Sequence, residues 1–510
     1  MRTPLLAALL LAIAPVVAVA SPCQQGSVFE DRNGNGRRDA GERGLAGIRV
    51  SDGTQVVVTD REGRFQLPGE AAMVTVVKPA GYRAAARADG LPDIWRQAGQ
   101  ADTDAAGACR AFALVPEPRA PQTLKALVMA DSQTASQLDV DYFRRDIIEP
   151  LRGRHGAQLG MTLGDITNDD PSLYPALVAA TTSLGVPWLH VPGNHDMDVD
   201  ATSDADSLRS YHRHLGPDTY AWEERQMVFI GLDDVIARPG TKPAYVAGLR
   251  EEQFTFLEQY LGGLDDSRLV VIGVHMPLFD PSFRPADRQR LFDLLARFPK
   301  RLVLSAHTHQ QQHVFHDVAA GWKGEGRLHE YNVGAACGAF WSGVKDAQGI
   351  PDTTMSDGTP NGHGLLTVQA DGRYMLEYRV ARGEASEQMR LHAPRVLRRG
   401  AYPAWGVYAN VFMGHEDTEV EFRVDGGPWT PMKKVLRPDP WLLAQNVADD
   451  TSAVLRGYDR SPEASPSSHL WRGALPTTLE VGEHVVEVRA RLDSGQAGAQ
   501  TRYALQHAGP

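Results

Sequence analysis

The sequence of 510 residues has little cysteine, no surplus of basic charge and few long apolar runs. Its three cysteines allow at most one disulfide within the chain. Lys and Arg number 52 against 63 Asp and Glu, and the net charge of -11 argues against a nucleic-acid partner, because no basic surplus exists to neutralise phosphates. Beyond the N-terminus no apolar stretch is long enough to cross a bilayer. The remaining composition, 42% hydrophobic and 23% charged, is typical of a folded soluble protein, and the length predicts roughly two to four domains.

Residues 1–20 have the features of a secretory signal peptide. Arg2 supplies a positive start, Leu5 to Val19 is almost unbroken apolar sequence, and Ala18-Val19-Ala20 matches a cleavage signal. Cleavage after Ala20 predicts a periplasmic or secreted protein. A lipid anchor on Cys23 is disfavoured, because Pro22 stands where a small residue is expected.

Export permits disulfide formation. Cys23 and Cys109 lie at the two ends of the first folded segment, and we expect them to pair. Cys337 lies far along the chain, and we expect it to be free and buried.

The residue patterns predict β-sandwich domains at both ends of the mature chain. At residues 21–117, glycines separate short apolar runs such as Arg64–Leu67 and Val74–Val77. A proline-rich linker follows. At residues 383–510, apolar and polar residues alternate, as in Val420–Val424 and Val486–Leu492.

Residues 118–382 alternate strands and helices and predict a layered α/β domain. The two clearest helical segments have apolar faces made of Phe254, Leu257, Leu261 and Leu264, and of Leu291, Leu294, Leu295 and Phe298. The expected strands are Leu124–Ala130, Gln158–Leu163, Trp188–Val191, Met227–Leu232, Leu269–Val274 and Leu302–Ser305.

Seven metal-capable side chains lie at the ends of these strands. Each short block that carries them is a weak signal alone, but together they recur at the carboxyl edge of a sheet, where ligand sites form. They predict a two-metal hydrolase site. The blocks are Asp131-Ser132-Gln133, Gly164-Asp165, Gly193-Asn194-His195-Asp196, His275 and His307-Thr308-His309.

These blocks resemble those of the calcineurin-like (metallo-dependent) phosphoesterases, D-x-H, G-D, G-N-H-D/E, a lone H and G-H-x-H. The resemblance covers Leu124 to about Arg382 and implies a four-layer α/β/β/α core, here flanked by two β-sandwich domains. The domain order is similar to an exported bacterial subgroup, and residues 357–362 resemble a loop of that subgroup.

The resemblance implies a ligand set for two divalent ions, manganese, iron, zinc or magnesium. Asp165 would bridge them, and a water that both ions activate would attack phosphorus. His195 would be the general acid or a donor to a phosphoryl oxygen, with Asp196 orienting it. The first ion would take Asp131, Gln133, Asp165 and His309, and the second Asp165, Asn194, His275 and His307.

Two positions depart from the family pattern. Gln133 replaces the usual histidine, which should weaken the first site for zinc or iron and favour harder manganese or magnesium. Ala306 replaces the glycine before His307 and tightens that turn.

A different pattern, at residues 31–42, predicts a calcium site. It places oxygen ligands at the spacing of a twelve-residue calcium loop, with a glycine, Gly36, at the sixth position. An ordinary Asn/Gly-rich surface turn is the alternative. The expected ligands are Asp31, Asn33, Asn35, the Arg37 carbonyl, Asp39 and Glu42.

Several polar or aromatic residues near the blocks have open roles. Asn168, Asp169 and Asp170 fit a solvated loop better than a pocket wall, and Asp233, His313 and His316 fit structural or surface roles. Phe340 and Trp341 could wall the substrate site or pack. Ser467, Ser468, His469 and Trp471 are candidates to reach the site from the C-terminal domain, although the role of ordinary loop residues fits them better.

The predicted function is hydrolysis of phosphate mono- or diesters by an exported enzyme. A phosphorylated small molecule, a lipid headgroup or a phosphoprotein would suit the same site, and no nucleic acid is expected. The alternative is a cell-envelope binding or adhesion protein with a catalytically weak fold.

Overall fold

The computed structural model describes residues 25–69, 71–97, 111–119, 121–402 and 405–508. The predicted signal peptide and the predicted Cys23–Cys109 pair lie outside this part of the chain. Cys337 lies inside it and is free and buried, as predicted. Among the described residues, no helix combines the length and apolar character needed to cross a membrane.

The N-terminal region contains two small sheets. Val28, Val50, Val76 and Phe112 are fully buried in its core, as expected of β-branched and aromatic residues on short strands. The first strand leads directly into the loop at residues 31–42. In spatial order one sheet contains Arg64–Gln66, Gln25–Glu30, Phe112–Pro116 and Tyr82–Ala84, and the other Val56–Val58, Arg49–Ser51, Met73–Val76 and Trp95–Gln97.

The central region, the α/β part of the chain, is built on two sheets. In the first central sheet three parallel strands continue into an antiparallel pair. Helices that connect the parallel strands bury Phe143, Ile147 and Leu177 in the same core. The strands, in spatial order, are Trp188–Val191, Leu159–Leu163, Leu124–Met129, Gly362–Val368 and Tyr374–Val380. The helices are Gln137–Phe143, continued by a π turn at Arg144–Ile148 and by Glu149–Leu151, and Tyr174–Thr182, preceded by a 3-10 turn at Pro171–Leu173.

The second central sheet has four parallel strands between two antiparallel edge strands. Its side chains alternate between two cores: Phe229 and Val271 share the core of the first central sheet, whereas Val228 and Val270 pack with helix Glu251–Gly262. The strands are Thr219–Glu223, Met227–Leu232, Leu269–Gly273, Arg301–Ser305, Leu328–Asn332 and Gln312–His316, in spatial order. The remaining helices are Glu251–Gly262, Pro285–Leu295 and Arg209–His214; 3-10 turns lie at Asn194–Asp196, Asp204–Asp206 and Val318–Ala320, and a two-stranded ribbon joins Val235–Ala237 to Tyr245–Ala247. Two sheets face to face with helices outside give the predicted α/β/β/α layers.

The C-terminal region contains two further sheets around a separate core that includes Val407, Val420 and Trp471. Helix Pro440–Asp450 is a correction to the expected all-β pattern. Asp439 caps it by accepting N–H bonds from the first turn, and Pro440 suits the first helical position. One sheet contains Met389–His392, Gly406–Val411, Pro466–Ala474 and Lys433–Pro438; the other contains Val396–Arg398, Gly495–Gln506, Gly482–Leu492, Glu419–Val424 and Thr430–Pro431.

Candidate metal centre

The predicted ligand blocks meet where the two central sheets end. The first three blocks follow parallel strands of the first central sheet, and the histidine blocks follow Leu269–Gly273 and Arg301–Ser305 of the second. The N–H of Asp131 donates to the Gly164 carbonyl over 3.2 Å, and the N–H of Gln133 donates to the Asp165 carbonyl over 2.8 Å. Main-chain bonds therefore join the first two blocks directly.

Two glycines make this convergence possible. A Cβ atom on Gly164 would lie 2.6 Å from Nδ1 of His275, and one on Gly193 would lie 2.3 Å from Oδ1 of Asp165. Neither position has room for a side chain. The glycines of the Gly-Asp and Gly-Asn blocks thus allow the neighbouring segments of the chain to approach each other closely.

Five of the seven predicted ligand residues lie in the left-handed backbone region. This conformation is uncommon outside glycine and clusters at functional sites. The φ angles are 46° at Asp131, 37° at Gln133, 47° at Asp165, 70° at His307 and 50° at His309.

Asp165, His275 and His307 form the clearest metal-binding group, with one ligand atom of each within 4.8 Å of the others. Nδ1 of His275 donates to the Leu163 carbonyl over 2.9 Å, which leaves Nε2 unprotonated when the ring is neutral. That Nε2 lies 3.1 Å from Oδ1 of Asn194 and 3.2 Å from Nδ1 of His307. The donors expected for the second ion are therefore together.

The residues expected for the first ion lie alongside. Nδ1 of His309 donates to the Gly338 carbonyl over 2.7 Å, so its Nε2 faces the site, 3.6 Å from Oδ1 of Asp131. Gln133 is buried, and its Oε1 lies 3.9 Å from the thiol of Cys337. The amide of Gln133 is therefore packed between the centre and a buried cysteine.

The charges of the ligand residues depend on one another. Burial disfavours a charge on His275, but the carboxylate of Asp165 outweighs it and raises the pKa of His275 to about 10. Burial raises the pKa of Asp131 well above its usual value. Burial and the charge of His275 lower the pKa of His307 to about 4, which keeps its ring in the neutral, ligating form. His275 thus holds a proton that a cation at its Nε2 would displace, and the buried carboxylates with the imidazoles then suit divalent cations.

His195 stands at the edge of this group, with about a third of its side chain exposed. Its main-chain N–H donates to Oδ1 of Asp165 over 2.8 Å, and its ring Nδ1 lies 3.0 Å from Oδ1 of Asp169. The backbone of His195 is therefore tied to a predicted ligand, while Asp169 orients the ring, as a proton donor at the site requires.

The expected role of Asp196 in orienting His195 is not what the structure shows. The Asp196 carboxylate is fully buried and accepts the N–H groups of Ile166, Thr167 and Gly193 at 2.9–3.2 Å. Burial and the charge of Asp165 raise the pKa of Asp196 to about 6. Asp196 fixes the loops that hold the ligands, and Asp169, expected in a solvated loop, takes the orienting position.

Two further residues escaped the sequence patterns. Asp234 accepts the N–H groups of His275 and Met276 at 3.0 and 3.1 Å and is completely buried. Tyr245, on the ribbon, places its ring edge-on to His307 with centroids 6.3 Å apart. The adjacent Asp233-Asp234 pair after strand Met227–Leu232 was the available signal for Asp234, whereas nothing local marked Tyr245.

Of the remaining candidate residues, some lie at the surface of the candidate site and others are buried in structural contacts. Phe340 is half exposed, and its ring centroid lies 5.5 Å from that of His309. Trp341 is buried and donates its indole N–H to the Ser132 carbonyl over 2.8 Å, so it packs. His469 of the C-terminal region is buried, and its Nε2 lies 3.1 Å from Oδ2 of Asp357.

The other polar candidates have structural partners. Asp233 pairs with Arg250, Asp170 caps the turn at Ser172, His316 pairs with Glu330, His313 stacks between His329 and Tyr331, and Trp471 lies in the C-terminal core.

The loop predicted to bind calcium folds around its acidic residues. Asp31 is buried and accepts the N–H groups of Gly34 and Gly36 at 2.7 and 2.8 Å. The amides of Asn33 and Asn35 both donate to Oδ2 of Asp39, at 2.8 and 2.7 Å. Glu42 closes the loop by accepting the N–H groups of Arg32 and Asp39, each over 2.9 Å. The loop is thus closed by hydrogen bonds from its predicted ligand side chains to one another and to its main chain.

Three family models match consecutive parts of the chain. Calcineurin-like phosphoesterase matches residues 125–311, its N-terminal model residues 32–115 and its C-terminal model residues 330–497. No curated protein matches the sequence. Purple acid phosphatase PPD1 from yellow lupin (Lupinus luteus) seeds is 14% identical, with 67% of this chain and 68% of that chain covered and a TM-score of 0.39. The protein TT1561 of Thermus thermophilus is 11% identical, with 50% and 99% covered and a TM-score of 0.28.

Proposed function

We propose a specific reaction for this chain, which belongs to the calcineurin-like phosphoesterase family: hydrolysis of phosphate mono- or diesters at a centre of two divalent ions. The family implies phosphoric ester hydrolysis and divalent metal ions. The number of ions, their ligands and the export of the enzyme are our proposals.

The convergence of Asp165, His275 and His307 carries this proposal. Asn194 completes the second ligand set, and Asp131, Gln133 and His309 form the first with Asp165. When bound, two dications supply a nucleophile from water at neutral pH and neutralise charge on phosphoryl oxygens. The residues fit that role, because the set is largely buried, contains two carboxylates, and leaves Nε2 free on His275 and His309, whose Nδ1 atoms donate to carbonyls.

His195 supplies the proton transfer in this proposal. It is the partly exposed histidine beside the ligand set, so a phosphoester at the centre can reach its Nε2. Asp169 at Nδ1 favours the tautomer with Nε2 free and stabilises the imidazolium that donates to the leaving oxygen.

Gln133 sets the metal preference in this proposal. An amide oxygen in place of an imidazole nitrogen favours manganese or magnesium over zinc or iron at the first ion. The second ligand set, with two histidines, carries no such bias.

We place the enzyme in the periplasm or outside the cell, on the basis of residues 1–20. Its substrate is a phosphorylated small molecule, a lipid headgroup or a phosphoprotein. The acidic net charge of -11 makes a nucleic acid unfavourable.

Hydrolysis of p-nitrophenyl phosphate and its bis ester by the purified full chain tests this function. We expect turnover that needs added manganese and disappears after chelation, and the preferred ester separates mono- from diesterase activity. Asp165→Asn should lose both metal and turnover, whereas His195→Ala should keep metal and lose most turnover. Absence of turnover on every phosphoester would favour the alternative, a cell-envelope binding protein.

We also propose a structural calcium ion at residues 31–42. The Asn33 and Asn35 amides both donate to Asp39, the Glu42 carboxylate accepts the Asp39 N–H, and a hard dication suits the oxygen atoms of these residues and of Asp31. Without helices on either side the ion would stiffen the N-terminal sheets rather than signal.

A further inference from the structure

A cavity of about 210 Å³ lies between the central and C-terminal regions, beside the candidate metal centre. Phe340 and Val344 line it from the central region. Trp441 and Gln445 of helix Pro440–Asp450 line it from the other side, together with Arg456. The cavity therefore exists only where both regions are present.

Phe340 connects this cavity to the reaction site. Its ring lines the cavity and also lies 5.5 Å, between centroids, from the ring of His309. An aromatic side chain left 51% exposed beside a ligand histidine is available for contact with a substrate. A phosphoester at the metal centre can thus extend past Phe340 into the cavity.

The C-terminal side of the cavity is fixed in place by main-chain contacts. The N–H groups of Tyr458 and Asp459 donate to the Ser342 carbonyl over 2.9 and 3.2 Å. Gly457 lies so close to Gly343 that a Cβ atom there would be 2.7 Å from its carbonyl. The two segments meet backbone to backbone, which makes this wall a permanent part of the site.

Both arginines that line the cavity are already paired, and the lining also contains the carboxylate of Asp352. Arg456 donates to Asp449 over 3.0 Å and to two oxygens of Gln445 at 3.2 and 2.9 Å. Arg460, another lining residue, pairs with Asp450. Because both guanidinium groups already have carboxylate partners, a second phosphate would gain little there. A neutral ligand group fits this environment best.

The remaining lining chemistry favours a group with hydroxyls and C–H faces. Phe340 and Trp441 offer aromatic surface, and Gln445 offers an amide. Asp352, also in the wall and exposed, offers a carboxylate that can accept hydrogen bonds from hydroxyl groups.

From these contacts we propose that the cavity binds the alcohol part of the phosphoester, and that this part is a small neutral polyol, glycerol or a single sugar. The volume, roughly that of seven water molecules in the liquid, suits a group of this size. This inference rests on the proposed function and names its substrate class. The C-terminal region is then a specificity element of the enzyme.

Kinetics of the manganese-loaded full chain test the proposal. The substrates are glycerol 3-phosphate, glucose 6-phosphate and methyl phosphate, each tested as the monoester and as its diester with methanol. Methyl phosphate and dimethyl phosphate have no group that could fill the cavity. For Trp441→Ala, we expect kcat/KM on the better polyol ester to fall about tenfold or more, with kcat/KM on methyl phosphate unchanged. Glycerol and glucose esters distinguish the two polyols.

Trp405→Ala is the matched control, because Trp405 is an exposed tryptophan of the same region that does not line the cavity. It should leave the ratio of polyol to methyl ester at the wild-type value. An unchanged ratio in Trp441→Ala would overturn the proposal as a whole. Absence of turnover on all esters, p-nitrophenyl phosphate included, would instead reject the proposed function.

Discussion

Nδ1 of His195 lies 3.0 Å from Oδ1 of Asp169, a residue that stands four positions after the predicted bridging ligand Asp165. The pair forms through a loop that is tied to the His195 segment by main-chain bonds, since the N–H of Asp169 donates to the His195 carbonyl over 3.1 Å. Asp169 is therefore placed to orient the proton donor without touching the metals.

Replacing Asp169 by asparagine should lower kcat roughly tenfold to a hundredfold and leave the bound metal unchanged. A neutral amide is a weaker acceptor for the Nδ1 N–H than a carboxylate, so the His195 ring is held less firmly and proton transfer should slow. Steady-state assays, together with metal analysis, measure both effects. Asp170→Asn is the control, because the side chain of Asp170 caps the turn at Ser172 instead. A wild-type kcat in Asp169→Asn would refute the orienting role.

Substituting Gln133 by histidine should change which metal the protein keeps. The imidazole adds a borderline-soft donor at the first ion, so affinity for zinc should rise relative to manganese. Competitive metal loading followed by elemental analysis gives the ratio directly. Gln311→His is the comparison, because Gln311 is a buried glutamine outside the ligand set. Equal ratios in both variants would show that residue 133 does not contact the metal.

Removing calcium should lower the melting temperature of the wild type and not that of Asp31→Ala. A ligand present at a hundred times its dissociation constant stabilises the folded state by about 2.7 kcal/mol. Calorimetry with calcium and with a calcium-selective chelator measures the difference. Asp60→Ala changes an exposed aspartate of the same region and should respond like wild type. A melting temperature of the wild type that does not depend on calcium would show that residues 31–42 form an asparagine-rich turn and not a calcium site.

His190 should make the fold sensitive to acid. It is buried on strand Trp188–Val191, neither ring nitrogen has a partner among the described residues, and burial lowers its pKa to about 3. A lowered pKa in a base means full stability above the unfolded value near 6.5 and loss as the pH falls from there toward 3. Between pH 7 and pH 5 we expect a loss of about 2 kcal/mol from this residue. Urea unfolding of His190→Leu should show a pH dependence of the unfolding free energy that is smaller by that amount. The control variant His507→Leu, at an exposed position, should keep the pH dependence of the wild type.

Strands and ligand blocks of the central region could be predicted because each depends on local residue order. Trp188–Val191 and Met227–Leu232 have the predicted bounds, and the family and layered fold expected from the five blocks are confirmed. Continuous β-branched and aliphatic runs have few alternatives to a buried parallel strand.

What could not be predicted depends on contacts between distant residues. Helix Pro440–Asp450 buries only Leu442 and lies between strands of a β domain, and the Asp439-Pro440 start signal was the available sign of it. The choice of Asp169 over Asp196 as the partner of His195 depends on the direction of each carboxylate. That direction follows from the N–H groups that Asp196 satisfies, which no spacing along the chain reveals.

The carboxylate of Asp357 joins the central region of this protein to its C-terminal region. Oδ2 of Asp357 accepts the N–H of Gln311, two residues after His309, and the same atom contacts His469 on a C-terminal strand. Unfolding of either region would break this junction and leave a buried group of the other region without its partner. The ligand loop and the last β domain should therefore melt as one cooperative unit, and the enzyme should be lost in a single step when it is heated.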